Sequence, residues 1–415
     1  MRILVYSHDT FGLGNISRML AICKYLLDTV PGLSILLISG SPVVHSFRMP
    51  VGLDYIKLPC LGRNESNELL AKYLGTQTQE ITQLRADLIR STVANFKPNL
   101  ILVDKKPYGL EGELKPTLTY LKTHSPQTKL VLLLRDILDD PEITIGEWSK
   151  NGYYEALHWY YDQILVVGMP EIFDLTQEYQ FPASVAEKVK FCGYIRKDYG
   201  RKPPQLIHQE LQIKANEKLV LVTPGGGGDG YRLVETYLQG LGENTHTAKI
   251  KSLIICGPEM PPAKREKIAQ ISQQLDGVQV SEFTDDMASY LNATDAVVSM
   301  GGYNTICEIL SLSKRAVVVP RIKPVEEQWI RAQRMADFGL FTAIHPEKLT
   351  PQHLMRAVLE QLDSPQNCLP PVDRLDLNAL PRISNYLSSL LYGCLSQRQW
   401  NLSEMVYLHE FEAVS

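Results

Sequence analysis

Two doubly wound α/β units in tandem are what this sequence predicts, and three observations predict them. Short β-branched runs recur at wide spacing, amphipathic stretches lie between them, and the chain is 415 residues long. Parallel strands covered by helices on both faces are apolar on both faces, so they read as short continuous runs rather than as alternation. A single core stops growing near ~250–300 residues, so this length asks for two domains.

Taken in order, strands are expected at Ile3–Tyr6, Ser34–Ile38, Leu100–Val103, Lys129–Leu134 and Gln163–Val167. Between the first two, Met19, Leu20, Cys23, Leu26 and Leu27 fall on one side of a helix over Ser17–Leu27. The second half repeats the plan, with strands at Leu219–Thr223, Ser252–Cys256, Val278–Glu282, Ala296–Ser299 and Ala316–Val319. Between the halves, Gly193–Ala215 interrupts the alternation with a Pro-Pro pair and reads as a linker or hinge. The expected division is therefore a first domain at 1–192, the linker at 193–215 and a second domain at 216–370. A helical tail at 371–415 follows, with the first domain as its candidate packing partner. Pro42–Arg63 and Pro141–Tyr154 are expected as loops. Val43, Val44, Phe47, Met49 and Val51 could form an apolar lip or an amphipathic core segment.

Composition narrows the function. With 44% hydrophobic and 21% charged residues, the chain is neither disordered nor fibrous. Lys+Arg 42 against Asp+Glu 46, a net charge of -4, argues against a polyanion binder, so nucleic acid is not an expected partner. None of the seven cysteines forms a CxxC pair, which fits a reducing cytoplasm without disulfides or a zinc knuckle. The opening Ile3-Leu4-Val5 run is too short for a signal peptide, and no apolar stretch reaches the ~18 residues of a membrane span. A cytoplasmic protein is expected, with peripheral contact as the form any membrane association would take.

Three glycine-bearing loops each follow a strand and open a helix, where backbone N–H groups can meet an anion. The first runs from Ser7 through His8, Asp9, Gly12, Gly14 and Asn15 to Ser17. It lacks the third glycine of a dinucleotide fingerprint, and no acidic residue ends the second strand, so NAD is disfavoured. The second, Gly225-Gly226-Gly227-Gly228, has no Lys-Ser/Thr after it and is not an NTPase phosphate loop. The third, Gly301-Gly302-Tyr303-Asn304-Thr305, leads into a helix bearing Glu308. A carboxylate one turn into such a helix can accept from two vicinal ribose hydroxyls, though alone it could equally be an ordinary helix carboxylate. Lys105, Lys106, Arg135 and Asp136 end strands of the first domain, where ligands of open α/β sheets gather. They could also be solvated or form an ion pair. No Asp-x-Asp pair or zinc spacing offers a metal site.

The run Ser281-Glu282-Phe283-Thr284-Asp285-Asp286-Met287, the run from Ala293 to Glu308, then Pro320, Glu327-Gln328 and Ala332 resemble the donor domain of glycosyltransferase family 28. The first loop and Gly193-Tyr194-Ile195-Arg196 resemble matching elements of that family more loosely. The resemblance implies a GT-B fold: two Rossmann-like domains facing across a cleft. It implies a hexosyltransferase (EC 2.4) moving sugar from a nucleotide-diphospho-sugar, expected as a UDP-sugar, to an acceptor hydroxyl, with inversion and no metal or other cofactor. Phe283, Thr284 and Met287 would flank the base; Gly301, Gly302, Asn304 and Thr305 would hold the diphosphate. Gly225, Gly226 and Gly227 would close over it, Glu308 would hold the ribose, and Glu327 and Gln328 the donor sugar. Gly12, Gly14 and Asn15 would lie on the acceptor side. Asn15 stands where many relatives carry a histidine, and an amide cannot take a proton at neutral pH. The base candidates are then Asp9, His8 and Asp104. The alternatives are a non-hydrolysing sugar-nucleotide epimerase and a catalytically silent sugar-nucleotide-binding protein.

Overall fold

A computed structural model describes residues 1–8, 14–63, 69–243, 249–364 and 370–393. The first half is a seven-stranded parallel sheet in the order Leu53–Lys57, Ser34–Ser39, Arg2–Ser7, Leu100–Asp104, Lys129–Arg135, Gln163–Val167, Val189–Phe191. Its interior strand Arg2–Ser7 shows why it is parallel and covered. Ile3 and Val5 enter one apolar cluster while Leu4 and Tyr6 enter another, and all four are essentially inaccessible. Successive side chains leave a strand on opposite faces, so both faces are core.

The second half repeats this as a six-stranded sheet, Val278–Ser281, Ile250–Ile255, Lys218–Thr223, Ala296–Ser299, Arg315–Val318, Thr342–Ala343. Leu219 and Leu221 join the same cluster as Ile3 and Val5, whereas Val220 and Val222 feed a core of their own. One apolar seam therefore runs through both halves.

In each sheet the strand order reverses direction at one place. In the first it lies between Arg2–Ser7 and Leu100–Asp104; in the second, between Lys218–Thr223 and Ala296–Ser299. Connections leave such a pair toward opposite faces and open a crevice at the carboxyl ends. All three glycine-bearing loops begin at these strand ends.

Several loops expected from the sequence are structured. Pro42–Arg63 contains an edge strand, and Pro141–Asn151 is a helix whose Asp140 accepts from the Glu142 and Ile143 amides, followed by helix Tyr153–Tyr160. Periodicity failed there because the helix is solvated on most of its surface and buries only Thr144 and Trp148. The apolar lip is not formed: Val44 is core, Phe47 and Met49 pack against it, and only Val51 stands fully out. Nor is the linker structureless. Helix Pro204–Glu210 packs on the second half through Ile207 and through His208, whose Nε2 lies 2.7 Å from the Ala293 carbonyl.

The chain crosses between the halves twice. Cys192–Ile195 leads out, and the segment before a helix over 379–393 leads back. The crossings bond to each other: the Tyr194 amide donates to the Asp376 carbonyl (2.7 Å), the Ala379 amide to the Tyr194 carbonyl (3.2 Å), and Ile195 and Asn378 form an antiparallel bridge. Ile383, Leu387 and Leu391 are buried in the shared cluster, and the Thr29 and Ser384 hydroxyls lie 2.8 Å apart.

Candidate functional site

The third glycine loop ends strand Ala296–Ser299 and starts the nine-residue helix Tyr303–Ser311. Gly302 precedes its first turn, where no side chain caps the N–H groups and a Cβ would meet open space. Those donors are the ones a helix leaves unpaired. Gly301 has a packing role: a Cβ there would sit 3.1 Å from the Gln328 carbonyl and 3.2 Å from Pro320 Cβ. Opposite, Gly225 has φ +76° and its Cβ position lies 3.7 Å from the Thr305 hydroxyl, so the second and third loops adjoin.

Two members of the expected diphosphate cradle are committed elsewhere. Gly227, at φ +92°, would drive a Cβ to 2.2 Å from the Cys256 carbonyl, so the fold itself requires glycine there. The Asn304 amide nitrogen donates to the Gly14 carbonyl (3.1 Å), joining the two halves, while its buried Oδ1 has no hydrogen-bond partner among the described residues.

Beyond the helix start lies a cavity of about 460 Å³. Lys197, Asp198, Gly200 and Arg201 of the outgoing crossing line it, with Asp285, Asp286, Ala288 and Glu308 of the second half. The Glu308 carboxyl has no hydrogen-bond or ion-pair partner among the described residues. Burial pushes it above the usual carboxylate range, against the opposing charge of Lys197. Arg201 closes the rim through Asp285 (2.7 Å) and Asp286. Phe283, two residues before the lining residue Asp285, is 53% exposed rather than in the core, and neither backbone polar group of Thr284 is hydrogen-bonded among the described residues. Met287 is half-buried against the core.

The cleft floor is built differently, from charges paired across the domains. Arg331 donates through Nε and Nη2 to both oxygens of Asp136 (2.8 Å each), and a third donor reaches the Gly301 carbonyl (3.0 Å). Both side chains are wholly buried. Burying two ions costs several kcal/mol each and is offset only by bidentate geometry with satisfied donors, which this pair has. Arg135, one residue before Asp136, pairs with Glu327 across the cleft (2.8 Å), and Glu327 also faces Arg331 (3.5 Å) and Arg321 (3.8 Å). Burial would raise the Glu327 carboxyl, but Arg135, Arg331, Lys105 and Arg321 outweigh it and hold it at about 2. Glu327 is thus not a solvated helix start; its Oε2, which faces Arg135 and Arg331, makes no hydrogen bond among the described residues. Gln328 is buried too, its Oε1 accepting from the Arg321 amide (3.2 Å). Arg135 and Asp136 are ion-paired, each across the cleft rather than with the other.

On the first half, Asp104 does not have the freedom of a base. Its Oδ1 takes the buried Arg18 guanidinium at 2.7 Å, and its Oδ2 faces the His8 amide at 3.4 Å. Asn15 orders the same corner: its amide donates to the His8 carbonyl (2.8 Å) and its Oδ1 accepts from Arg18 (3.3 Å). His8 is buried with Nδ1 unbonded among the described residues. Burial, with the charges of Lys105 and Lys106, drives its pKa well below the ordinary imidazole value. Asp9 and Gly12 lie outside the described residues. Lys106 is tied to Glu147. Sequence reasoning missed Arg18, Lys197, Arg201, Arg321 and Arg331. Of these only Arg331 had a local signal, its spacing of four from Glu327 on one helix.

Residues 219–384 match the model of the Glycosyltransferase family 28 C-terminal domain. A UDP-N-acetylglucosamine--N-acetylmuramyl-(pentapeptide) pyrophosphoryl-undecaprenol N-acetylglucosamine transferase of Haemophilus influenzae is 24% identical over 179 residues, 43% of this chain and 48% of that protein. The chain thus spans about half the length of this curated relative. Among solved structures, Acinetobacter baumannii MurG superposes with a TM-score of 0.61 at 14% identity, covering 94% of this chain and 99% of that one. A UDP-GlcNAc 2-epimerase from Neisseria meningitidis bound to UDP-GlcNAc gives 0.60 at 14%, covering 94% and 100%. The fold is GT-B, with two Rossmann-like domains, and its second half resembles family 28. Among the described residues no helix is long and apolar enough to cross a membrane, and no three His, Cys, Asp or Glu side chains are grouped to hold a metal ion.

Proposed function

We propose that this GT-B chain with a family 28-like donor half is a glycosyltransferase, taking a nucleoside-diphospho-sugar, first a UDP-sugar, and passing the sugar to an acceptor hydroxyl. The observation that carries the reading is the Glu308 cavity: a partnerless carboxyl in the first turns of an uncapped helix whose Thr305 adjoins the Gly225 loop, with the exposed ring of Phe283 two residues before the lining residue Asp285. Each feature suits one part of a nucleoside diphosphate. Phe283 offers a ring face and Thr284 free backbone to the base, Glu308 accepts from the ribose hydroxyls, and the first-turn N–H groups with Gly225 and Gly226 receive the phosphates.

In the reaction the acceptor oxygen attacks the anomeric carbon from the first-domain side. The bond to the diphosphate breaks, its electron pair stays on the phosphate oxygen, and the stereocentre inverts. Fixed backbone dipoles at Gly302–Thr305 stabilise that charge, a role that needs no metal ion. With Asp104 held by Arg18, the proton goes to His8 or Asp9. Asp9 is the first candidate, because burial and the Lys105 and Lys106 charges disfavour a protonated His8, although its Nδ1 is unbonded among the described residues.

Titration of the protein with UDP, GDP, ADP and TDP in EDTA tests the donor site, with micromolar binding of one diphosphate expected. Binding of none would end the reading. The epimerase is kept as a second reading because a sugar-nucleotide epimerase shares the fold equally well. It would convert UDP-GlcNAc to its C2 epimer with no acceptor present, which the transferase would not do.

A further inference from the structure

The charges of the cleft floor can be matched one by one. Arg331 answers Asp136, Arg135 answers Glu327, Arg321 answers Asp229 (3.6 Å), Arg18 answers Asp104 and Lys106 answers Glu147. Lys105 is left over. Its ammonium has no hydrogen-bond or ion-pair partner among the described residues. It is nevertheless half-buried at the end of strand Leu100–Asp104, in the fields of Arg135, Glu327 and Asp104, and it acts on His8 in turn. Its strand pairs with Arg2–Ser7, which leads into the acceptor-side loop, and the charge of Glu327 acts on it from the other half.

Two further features make this lysine unusual. Its backbone is left-handed, φ 73°, a conformation that glycine would adopt without strain and that side-chain-bearing residues visit rarely. Burial, and then the Arg135 charge, brings its pKa down to about 8. A left-handed backbone thus holds a desolvated cation near the like charge of Arg135, with Glu327 and Asp104 acting on it only from beyond ion-pair distance. Such an arrangement becomes favourable when a ligand supplies the anion. Glu327, which the family resemblance would set against the donor sugar, already faces three arginines, whereas Lys105 is a cation without an ion-pair partner among the described residues.

We propose that Lys105 is a specificity-determining residue that reads a carboxylate on the transferred sugar, so that the donor is a nucleoside-diphospho-sugar acid rather than a neutral hexose. This rests on the donor-site reading above. The lysine ammonium donates to the carboxylate, with the guanidinium of Arg135 behind it strengthening the local potential. Neutral sugars leave the ammonium unpaired and bind more weakly.

The test is calorimetry on the full chain at pH 7, using whichever of UDP, GDP, ADP or TDP binds, together with its glucose and glucuronate derivatives. The glucuronate derivative is expected to bind at least tenfold tighter than the glucose one. Lys105→Met should bring the two within threefold while leaving affinity for the bare diphosphate unchanged. Lys105→Arg should keep the preference, and Lys106→Met, which removes a nearby but paired charge, should keep it too. Unfolding midpoints check that each variant is folded. Equal affinities for the two sugars overturn the inference and leave the donor site standing. A Lys105→Met loss that is the same for the bare diphosphate assigns the lysine to the leaving group and also overturns it. Inorganic phosphate that binds the diphosphate-saturated wild type but not Lys105→Met would move the anion to the acceptor, with the same consequence. If no nucleoside diphosphate binds, the donor-site reading fails first and this inference with it.

Discussion

The Glu308 cavity and the cleft floor are both rich in charge, and they are opposite in design. On the floor, Asp136, Arg331, Glu327 and Arg135 meet across the two halves at 2.8–3.5 Å; the first three are nearly inaccessible and Arg135 is mostly buried. In the cavity, Glu308 has no partner among the described residues, and Phe283, two residues before its lining residue Asp285, is more than half exposed. A buried charge left alone is costly, so the matched region reports on stability and the unmatched region on what is expected to bind.

The sharpest way to break this contrast is Arg331→Met. It leaves Asp136 buried without its cation and should cost about 3–5 kcal/mol in urea unfolding, while Asp136→Asn in the same chain should return part of that loss. A change below about 1 kcal/mol would mean that the floor is not structural. Next comes acid. The folded-state pKa of Glu327, about 2, lies below its ordinary 4.5, so its pairing contributes fully above that value and is lost as pH falls toward 2. The span is worth on the order of 3 kcal/mol. Comparing unfolding of wild type and Glu327→Gln between pH 5 and 2.5 should show that component missing from the variant.

Glu308→Ala should behave in the opposite sense. Nucleotide affinity should fall about 10- to 30-fold, the scale of hydrogen bonds to a charged group, while the unfolding midpoint holds or rises because a desolvated carboxyl is gone. Calorimetry alongside thermal unfolding separates the two effects. Phe283→Ala is the mildest, a loss of about 0.5–1.5 kcal/mol in nucleotide binding with stability unchanged, as expected for an exposed ring that stacks on a base.

The same division explains what could be read in advance. Strands such as Gln163–Val167 and Ala296–Ser299 were legible to the residue because parallel strands are apolar on both faces over a short run. The edge strands Leu53–Lys57 and Val189–Phe191 were not, since half-exposed edges mix polar and apolar residues. The glycine loops and Glu308 announced themselves by local spacing. Asp136 and Arg331 are 195 positions apart and carry no local mark; only the meeting of two domains makes them a pair. Gly227 and Asn304 show the converse, residues whose motif suggested ligand contact and whose geometry serves the backbone of Cys256 and the carbonyl of Gly14.

The paired crossings at Tyr194–Ile195 and Asp376–Ala379 have a mechanical consequence. One strap between two bodies permits swivelling about any axis, but two straps fastened side by side resist torsion and leave bending about the line that joins them. Bending about that line would part Asn304 from Gly14, or Arg135 from Glu327, and would bring them back in the same register. Cutting the returning strap, for example by proteolysis before residue 376, would leave the two halves on one pin. Substrates could then still enter, but the halves would no longer be bound to meet in line.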